Sequence, residues 1–120
     1  MPNQVVWVDI PIRKLDRAVK FYSAVLGCTV KKDKFNDIEF AILPHMGEDV
    51  GGCLVPGHEA TITGGGPLIY LNTNGRLDDA VAKVEPNGGK VLEPKHKIGP
   101  YGYKAVILDS EGNRVALHST

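Results

Sequence analysis

Two stretches of this 120-residue chain carry the same pattern of apolar and acidic residues, 62 positions apart when counted from Leu15 to Leu77. Leu, Asp, Ala and Val stand in the same relative places in residues 15–19 and 77–81, and Gly27 or Gly89 follows each copy. Self-similarity at a fixed spacing indicates two copies of one supersecondary unit. A chain of this length forms a single domain, so we expect both copies to lie in one domain.

Each copy is predicted to fold as one βαβββ module. In the first, alternation predicts a strand at 5–12, an amphipathic helix follows at 15–26, and further strands fall at 28–30, 38–43 and 50–55. In the second, we predict a strand at 68–73, a helix at 77–84, and strands at 90–92, 103–108 and 114–118. The modules then occupy about residues 4–56 and 68–119, and a glycine-rich linker at 57–67 joins them.

Composition and charge exclude several classes of partner. The 14 basic and 14 acidic residues balance and the lysines are scattered, so the field that attracts nucleic acid is missing. No apolar run approaches the roughly 20 residues of a membrane helix, and no leader-like segment opens the chain. We therefore expect a cytoplasmic protein with no nucleic-acid or membrane partner. Cys28 and Cys53 lack metal-ligand spacing, and we predict that both are reduced and packed as small apolar residues.

Two long motifs resemble the vicinal oxygen chelate superfamily, which includes glyoxalase I, extradiol dioxygenases and the bleomycin- and fosfomycin-resistance proteins. They are LDRAVKFYSAVLG at residues 15–27 and the stretch 77–117, with its GG turn and its DSEGNR hairpin. Within the family, VGGCLV at residues 50–55 and the WVDIP segment are most similar to small predicted enzymes related to lactoylglutathione lyase. The resemblance covers essentially the whole chain, but it says less about chemistry because this fold hosts several activities.

The resemblance implies an α+β fold in which two tandem βαβββ modules form a curled eight-stranded mixed sheet, with an inner trough and the helices outside. It also implies a homodimer, with or without exchange of modules between chains. In metal-dependent members, His, Gln or Glu side chains from several strands bind a divalent ion in the trough. Carried over by position, these ligands fall on Trp7, on Leu68 or Ile69, among Gly52, Cys53 and Leu54, and on Ala116.

These positions lack the chemistry of a metal site. An indole N–H only donates and aliphatic side chains have no lone pair, with Cys53 as the one exception. We therefore predict no metal and no cofactor, and we do not expect the metal-dependent chemistry of glyoxalase I. A second departure is Lys14, which stands where relatives carry a helix-capping Asp; Asp16 compensates in part through the helix dipole.

Trp7 and Asp9 alternate with Val6, Val8 and Ile10, so both side chains lie on one face of the first strand. The resemblance makes this face the wall of the trough. Asp9 there either transfers a proton as a general base or acid, or binds an amine or hydroxyl of a ligand. The alternative is that it serves the fold by accepting a loop N–H or pairing with an arginine. Trp7 either stacks on a planar ligand or belongs to the core.

The end of the second module offers further candidates. His118 and Arg114 share the face of Ala116 if the last strand is regular, so either is placed to donate to a ligand oxygen. The hydroxyl of Tyr103 follows a Gly-Pro loop and is placed to orient a ligand. The candidate catalytic residues are thus Asp9, His118 and Tyr103, and the candidate ligand-binding residues are Trp7, Arg114 and Ala116. The simpler accounts are exposure beside the chain end for His118 and strand packing for Tyr103.

The sequence assigns no functional role to two other ionisable residues. Alternation does not decide which face of its strand Glu39 takes. His45 lies in a predicted turn and is interpreted as solvated surface.

Three functional hypotheses follow. The first is a metal-independent enzyme, a lyase or isomerase, in which Asp9 moves a proton on a small carbonyl- or hydroxyl-bearing substrate. The second is a non-catalytic pocket that binds or sequesters a small molecule, as the antibiotic-sequestering relatives do. The third is a structural dimer whose trough is filled by side chains such as Trp7.

Overall fold

The computed structural model describes residues 5–47, 49–57 and 68–120. The first module contains β1 (Trp7–Ile12), α1 (Leu15–Leu26), β2 (Lys31–Phe35), β3 (Ile38–Leu43) and β4 (Gly51–Pro56). The second contains β5 (Ile69–Asn72), α2 (Leu77–Ala82), β6 (Lys90–Lys97), β7 (Tyr103–Leu108) and β8 (Arg114–Ser119), with two 3-10 helices at Glu85–Asn87 and Gly99–Tyr101. This order confirms the predicted pair of βαβββ modules. Apart from Gly57, the predicted linker lies outside the described residues.

The eight strands form two four-stranded mixed sheets with the same topology. The first has the order β1-β4-β3-β2 and the second the order β5-β8-β7-β6. In each sheet the first strand of the module runs parallel to the last strand, and the other pairs are antiparallel. The predicted α+β class and tandem arrangement are therefore confirmed.

β1, β4, β5 and β8 lie within two residues of their predicted bounds, whereas β2, α2 and β6 differ in ways that the residues explain. The second strand is Lys31–Phe35 rather than residues 28–30, and it is exposed throughout, as suits a charged strand at the edge of a sheet. The predicted helix at 77–84 ends at Ala82, because Pro86 starts a separate 3-10 turn. The strand predicted at 90–92 continues to Lys97 through two irregularities in its pairing. None of the described helices is long and apolar enough to cross a membrane.

One apolar core joins the two modules. The buried stripe of α1 packs with one face of each sheet, the face that carries Ile10, Ile12, Ala41 and Leu54 in the first sheet and Ala105, Ile107, Val115 and Leu117 in the second. We call these the core faces, and the opposite sides the open faces. Because both sheets bury their core face in one cluster, the open faces lie on the outside of the chain. They are the faces that the resemblance assigns to the trough.

Both ends of α1 are capped by the second module. The Lys14 side chain makes no cap, and instead the Glu111 carboxylate accepts the backbone N–H groups of Arg13 and Lys14, each at 2.8 Å. At the other end, Arg76 Nη1 donates to the Val25 carbonyl at 2.6 Å. Burial opposes ionisation of Glu111, but hydrogen bonds, the largest from Arg17, outweigh it and lower the pKa of Glu111 from 4.5 to about 2.

Candidate functional site

The open face of β1 carries Trp7 and Asp9, as the alternation of the sequence predicts. Ile10 and Ile12 are buried in the core, and Val8 packs against it, whereas Trp7 and Asp9 are both exposed. The indole Nε1–H of Trp7 donates to Asp9 Oδ1 at 3.0 Å. The two residues therefore form one hydrogen-bonded unit rather than two independent side chains.

Cys53 completes this unit from the neighbouring strand. Parallel pairing of β1 with β4 places Cys53 opposite Asp9, and the Sγ–H of Cys53 donates to the same Oδ1 at 3.2 Å. Burial, and then the hydrogen bond to Asp9, raise the pKa of the Cys53 thiol, so the thiol keeps the proton that it donates. We call Trp7, Asp9 and Cys53 the Asp9 cluster.

Asp9 uses only one of its two oxygens for these bonds. Among the residues that the structure describes, none donates to Oδ2 and no Lys, Arg or His forms an ion pair with this carboxylate. An ionised carboxylate has about four acceptor sites, so Oδ2 remains available to a donor that the described part of the chain does not provide.

Trp7 is fixed in place by two further contacts. Its ring lies edge-on to His45, with 5.6 Å between centroids, and both rings cover Gly51. A Cβ atom added at Gly51 would lie 2.7 Å from His45 Cδ2 and 2.8 Å from Trp7 Cζ3. His45 is thus a neighbour of the Asp9 cluster, whereas the sequence interpretation left it as solvated surface.

The surroundings of the Asp9 cluster are apolar. The cross-strand pairs place Ile42 with Cys53 on the open face, and Phe40 and Ile38 follow by alternation. Glu39 lies on the other side of the strand, with Ala41 on the core face. The pKa of Lys32 is raised mainly by Asp16 and is lowered by burial, and Glu39 makes the smallest contribution in raising it. Glu39 therefore does not share a face with Asp9.

The open face of the second sheet carries a different set of side chains. His118 Nε2–H donates to the Tyr101 carbonyl at 2.7 Å, and Lys104 Nζ donates to the Tyr70 hydroxyl at 3.2 Å. An open cavity of about 480 Å³ lies here, lined by Tyr70, Ile98, Tyr101 and His118. Arg114 begins β8 on the same face. Ala116 is fully buried, so it presents no surface to a ligand and we leave it out of the site.

Tyr103 lies on the opposite side of this sheet from His118. It pairs with Ser119 and alternates with the buried Ala105 and Ile107, which places it on the core face beside α2. There Lys95 Nζ lies 5.0 Å from the centre of its ring. The expectation that Tyr103 and His118 serve one site is therefore corrected, because they lie on opposite faces of the second sheet.

The pairing also locates the ligand positions of metal-dependent relatives. Ile69 pairs with Val115 on the core face, whereas Tyr70 pairs with Ala116, so alternation assigns Leu68 to the open face. The equivalent parallel pair in the first module joins Asp9 to Cys53, which makes Cys53 the counterpart of Ala116. The four positions are thus Trp7, Cys53, Leu68 and Ala116.

This set does not fit a divalent cation. Trp7 donates its N–H to Asp9, the thiol of Cys53 stays protonated, and Leu68 and Ala116 have no lone pair. Within residues 5–47, 49–57 and 68–120, no group of three or more His, Cys, Asp or Glu side chains is arranged to hold a metal.

A further cavity lies between the modules, on the core side. It has a volume of about 400 Å³ and is lined by apolar residues of β1, α1, β3 and β4 together with the four residues of β5. Cys28 belongs to its wall, and burial raises the pKa of this thiol. Both cysteines are free, as predicted.

The chain belongs to the glyoxalase/bleomycin resistance protein/dioxygenase superfamily, whose family model matches residues 4–117. The resemblance seen in the sequence is therefore confirmed. A search of the curated proteins found no match to this chain.

Solved structures share the fold at low sequence identity. A glyoxalase-related enzyme from Fulvimarina pelagi is 15% identical with a TM-score of 0.71, over 98% of this chain and 88% of that one. The fosfomycin resistance protein FosX from Listeria monocytogenes is 11% identical with a TM-score of 0.70, over 100% and 95%. The antibiotic-binding protein TnmS3 from a Streptomyces species is 22% identical with a TM-score of 0.71, over 98% and 95%.

The sequence identified Trp7 and Asp9 but missed their partners. Cys53 reaches Asp9 only through the pairing of β1 with β4, and no local pattern reveals that register. Tyr70 occupies in the second module the place that Asp9 occupies in the first. The internal repeat carried the signal for Tyr70, once one inserted residue before α2 is allowed for.

Proposed function

We propose that this protein binds a small organic molecule at the Asp9 cluster, on the open face of its first sheet, without a metal ion. The observation that carries this proposal is the Asp9 carboxylate itself. It is exposed on an apolar face, one of its oxygens is held by Trp7 and Cys53, and the other accepts nothing from the described residues. The described part of the fold thus positions this group and leaves one of its oxygens without a donor.

The acidic residues that serve the fold look different. Glu111 is fully buried and accepts backbone N–H groups of Arg13 and Lys14 together with the Arg17 side chain. Asp109 is buried and accepts the Tyr22 hydroxyl at 2.6 Å and two backbone N–H groups. From the residues that the structure describes, Asp9 accepts no backbone N–H, and its two donors are the side chains of Trp7 and Cys53. This contrast favours a ligand-binding role over the structural alternative.

The comparisons support a small-molecule site of this general kind. The structures with the same fold include a glyoxalase-related enzyme, a fosfomycin resistance protein and an antibiotic-binding protein. Because their sequence identity to this chain is low, these structures show only that the fold is shared. The side chains at the four ligand positions do not suit a divalent cation, and this supports the proposal that binding needs no metal ion.

A second candidate function is proton transfer by Asp9, as in a lyase or isomerase. The open Oδ2 favours it, since a general base needs a free oxygen within reach of the substrate. In this hypothesis Oδ2 takes a proton from a carbon or hydroxyl next to a carbonyl and returns it to another atom of the same substrate. His118 lies on the other sheet and Tyr103 on a core face, so Asp9 would act with Cys53 and Trp7 as its neighbours.

We also propose that the protein is a cytoplasmic homodimer in which the partner chain covers part of the open faces and leaves Oδ2 of Asp9 accessible to a ligand. The first open face and its rim expose several large apolar side chains, among them Trp7, Phe35, Ile38 and Val50. Contiguous exposed apolar surface is typical of an interaction site. Light scattering of the purified chain would test the stoichiometry, and a monomer at all concentrations would contradict it.

The binding proposal is tested by a fragment screen followed with amide NMR. Small aromatic and aliphatic molecules of positive, zero and negative charge are added one at a time, and we expect the binders to shift amides of β1 and β4 around Asp9 and Cys53. Asp9→Asn should lower the affinity for these molecules. Asp33→Asn is the matched control, because Asp33 faces the same side from the edge strand β2 and should leave binding unchanged. Shifts that cluster elsewhere, or no binder at all, would contradict the proposal.

A further inference from the structure

We propose that the ligand of the Asp9 cluster is an organic cation, a protonated amine or related ammonium group carried on an apolar or aromatic body. This inference rests on the proposed function and names the chemical class of its ligand. It rests on the hydrogen-bond donors, the charges and the aromatic rings around Asp9.

Every donor of the cluster is already used within it. The indole N–H of Trp7 and the S–H of Cys53 both point to Asp9 Oδ1. What the cluster presents to a ligand is therefore the second carboxylate oxygen and the π system of the indole, and both attract hydrogen-bond donors and positive charge. A ligand carboxylate or phosphate would meet no donor in the cluster and would be repelled by Asp9.

Asp9 is also the one charged side chain on the open faces of β1, β4 and β3 among the described residues. The other open-face residues there are Trp7, Pro11, Ile38, Phe40, Ile42, Gly51, Cys53 and Val55. The nearest lysine that pairing places on this face is Lys31 on β2, three strand positions away. Three steps across a sheet are about 14 Å, beyond direct pairing with Asp9.

Three exposed aspartates elsewhere on the chain have cationic partners, whereas Asp33 accepts only the Lys34 backbone N–H within the described part of the chain. Asp16 lies 2.7 Å from Lys32 Nζ, Asp79 lies 2.7 Å from Arg76 Nη2, and Asp78 lies 3.1 Å from Lys95 Nζ. Asp9 has none among the described residues. An exposed carboxylate attracts a counter-ion, and the attraction strengthens when the apolar body of a ligand excludes water from the pair. The unfilled partner position at Oδ2 is therefore where a ligand cation is stabilised.

The indole adds a second attraction for the same charge. Trp7 is 43% exposed, and its bond to Asp9 and its contact with His45 fix the ring beside the carboxylate. A cation next to a tryptophan face gains about 0.5–2 kcal/mol. An ammonium group bound at Oδ2 thus lies beside the exposed indole, whose face is open to the charged or aromatic part of the ligand. The apolar body of the ligand then lies on the surrounding Ile and Phe side chains.

The experiment uses Trp7 as its own reporter, because it is the only tryptophan in the chain. Benzylamine, benzyl alcohol and benzoate share one aromatic ring and differ in the charge of the substituent. Each is titrated against the whole protein while the Trp7 emission is followed. We expect benzylamine to bind about tenfold more tightly than benzyl alcohol, and benzoate to give no saturable change.

Two variants separate the charge effect from folding. Asp9→Asn keeps the size of the side chain and should lower benzylamine affinity about tenfold, to that of benzyl alcohol, whereas Asp33→Asn should leave it unchanged. Circular dichroism checks that both variants remain folded. If Asp9→Asn does not fold, the shifts that benzylamine causes in the amide signals of the wild-type protein provide a second readout.

Equal affinity for benzylamine and benzyl alcohol, tighter binding of benzoate, or an undiminished preference in Asp9→Asn would overturn the inference. If neutral or anionic molecules bind at the cluster, only the cation preference fails; if no molecule in the screen binds there, the proposed function fails with it.

Discussion

The fully buried carboxylate of Glu111, in the turn between β7 and β8, pairs with the guanidinium of Arg17 on α1 at 2.7 Å. The same carboxylate accepts the backbone N–H groups that open α1, where the Lys14 side chain provides no cap. The departure at Lys14 is therefore compensated from the other module. The pairing ties the first helix to the second sheet.

Replacing Glu111 with Gln should destabilise the protein substantially. The amide cannot balance the charge of Arg17, and one of its two terminal atoms is a donor that faces other donors. The Arg17 side chain is 41% exposed, so water screens the charge that is left unpaired, but loss of the hydrogen bonds to the buried carboxylate costs about 2–3 kcal/mol. Urea unfolding measures the change, with Glu93→Gln on the exposed edge strand β6 as the control. Equal stability of the two variants would show that the Glu111 carboxylate is not the tie between the modules.

Glu111 also predicts an acid-labile fold. Its pKa is about 2 in the folded chain, below its ordinary value of 4.5, so ionised Glu111 stabilises the folded state. This contribution is fully present above about pH 4.5 and is lost as the pH falls towards 2, and it amounts to about 3 kcal/mol. The free energy of unfolding, measured in urea across this range, should fall with acid in the wild type. The fall should be distinctly smaller in Glu111→Gln, and parallel curves would contradict the assignment.

Much of the fold follows from local patterns in the sequence. The spacing of α1 and the alternation of β1 match periodicities that the core enforces, and β3 and β7 follow from short apolar runs. The second strand, KKDKF, has no such pattern because it is an exposed edge strand. Its position is set instead by the tight turn at Asn36 and Asp37, which both have positive φ.

The site was harder to predict because it depends on register between distant segments. Trp7 and Asp9 follow from alternation within one strand, but Cys53 reaches Asp9 through pairing between strands 44 residues apart. The face of Tyr103 was not assigned from the sequence, because a shift of one residue exchanges the two faces of a strand. Only its pairing with Ser119 places it on the core face.

Gly51→Ala should disturb the Asp9 cluster from beneath. Its Cβ would meet His45 and Trp7 at less than 3 Å, so both rings must shift and the bond from Trp7 to Asp9 is weakened. Overpacking of this kind costs about 1–3 kcal/mol. Trp7 emission and the affinity for benzylamine should both change. Gly47→Ala is the comparison, since no atom lies within 4 Å of its added Cβ, although its positive φ adds some strain. Unchanged emission in Gly51→Ala would contradict the packing of Trp7 over Gly51.

The purified protein should contain no stoichiometric metal at the position that metal-dependent relatives use. Trp7, Cys53, Leu68 and Ala116 provide no oxygen or imidazole ligand, and Cys53 holds its proton towards Asp9. Elemental analysis of protein prepared without added metal or chelator tests this directly. Added Mg²⁺, Mn²⁺, Ni²⁺ or Zn²⁺ should leave the melting temperature unchanged, because an ion that binds only the folded state would raise it. One equivalent of bound metal, lost in a Cys53→Ala variant, would show that this position still coordinates an ion and would remove the basis for metal-independent binding at Asp9.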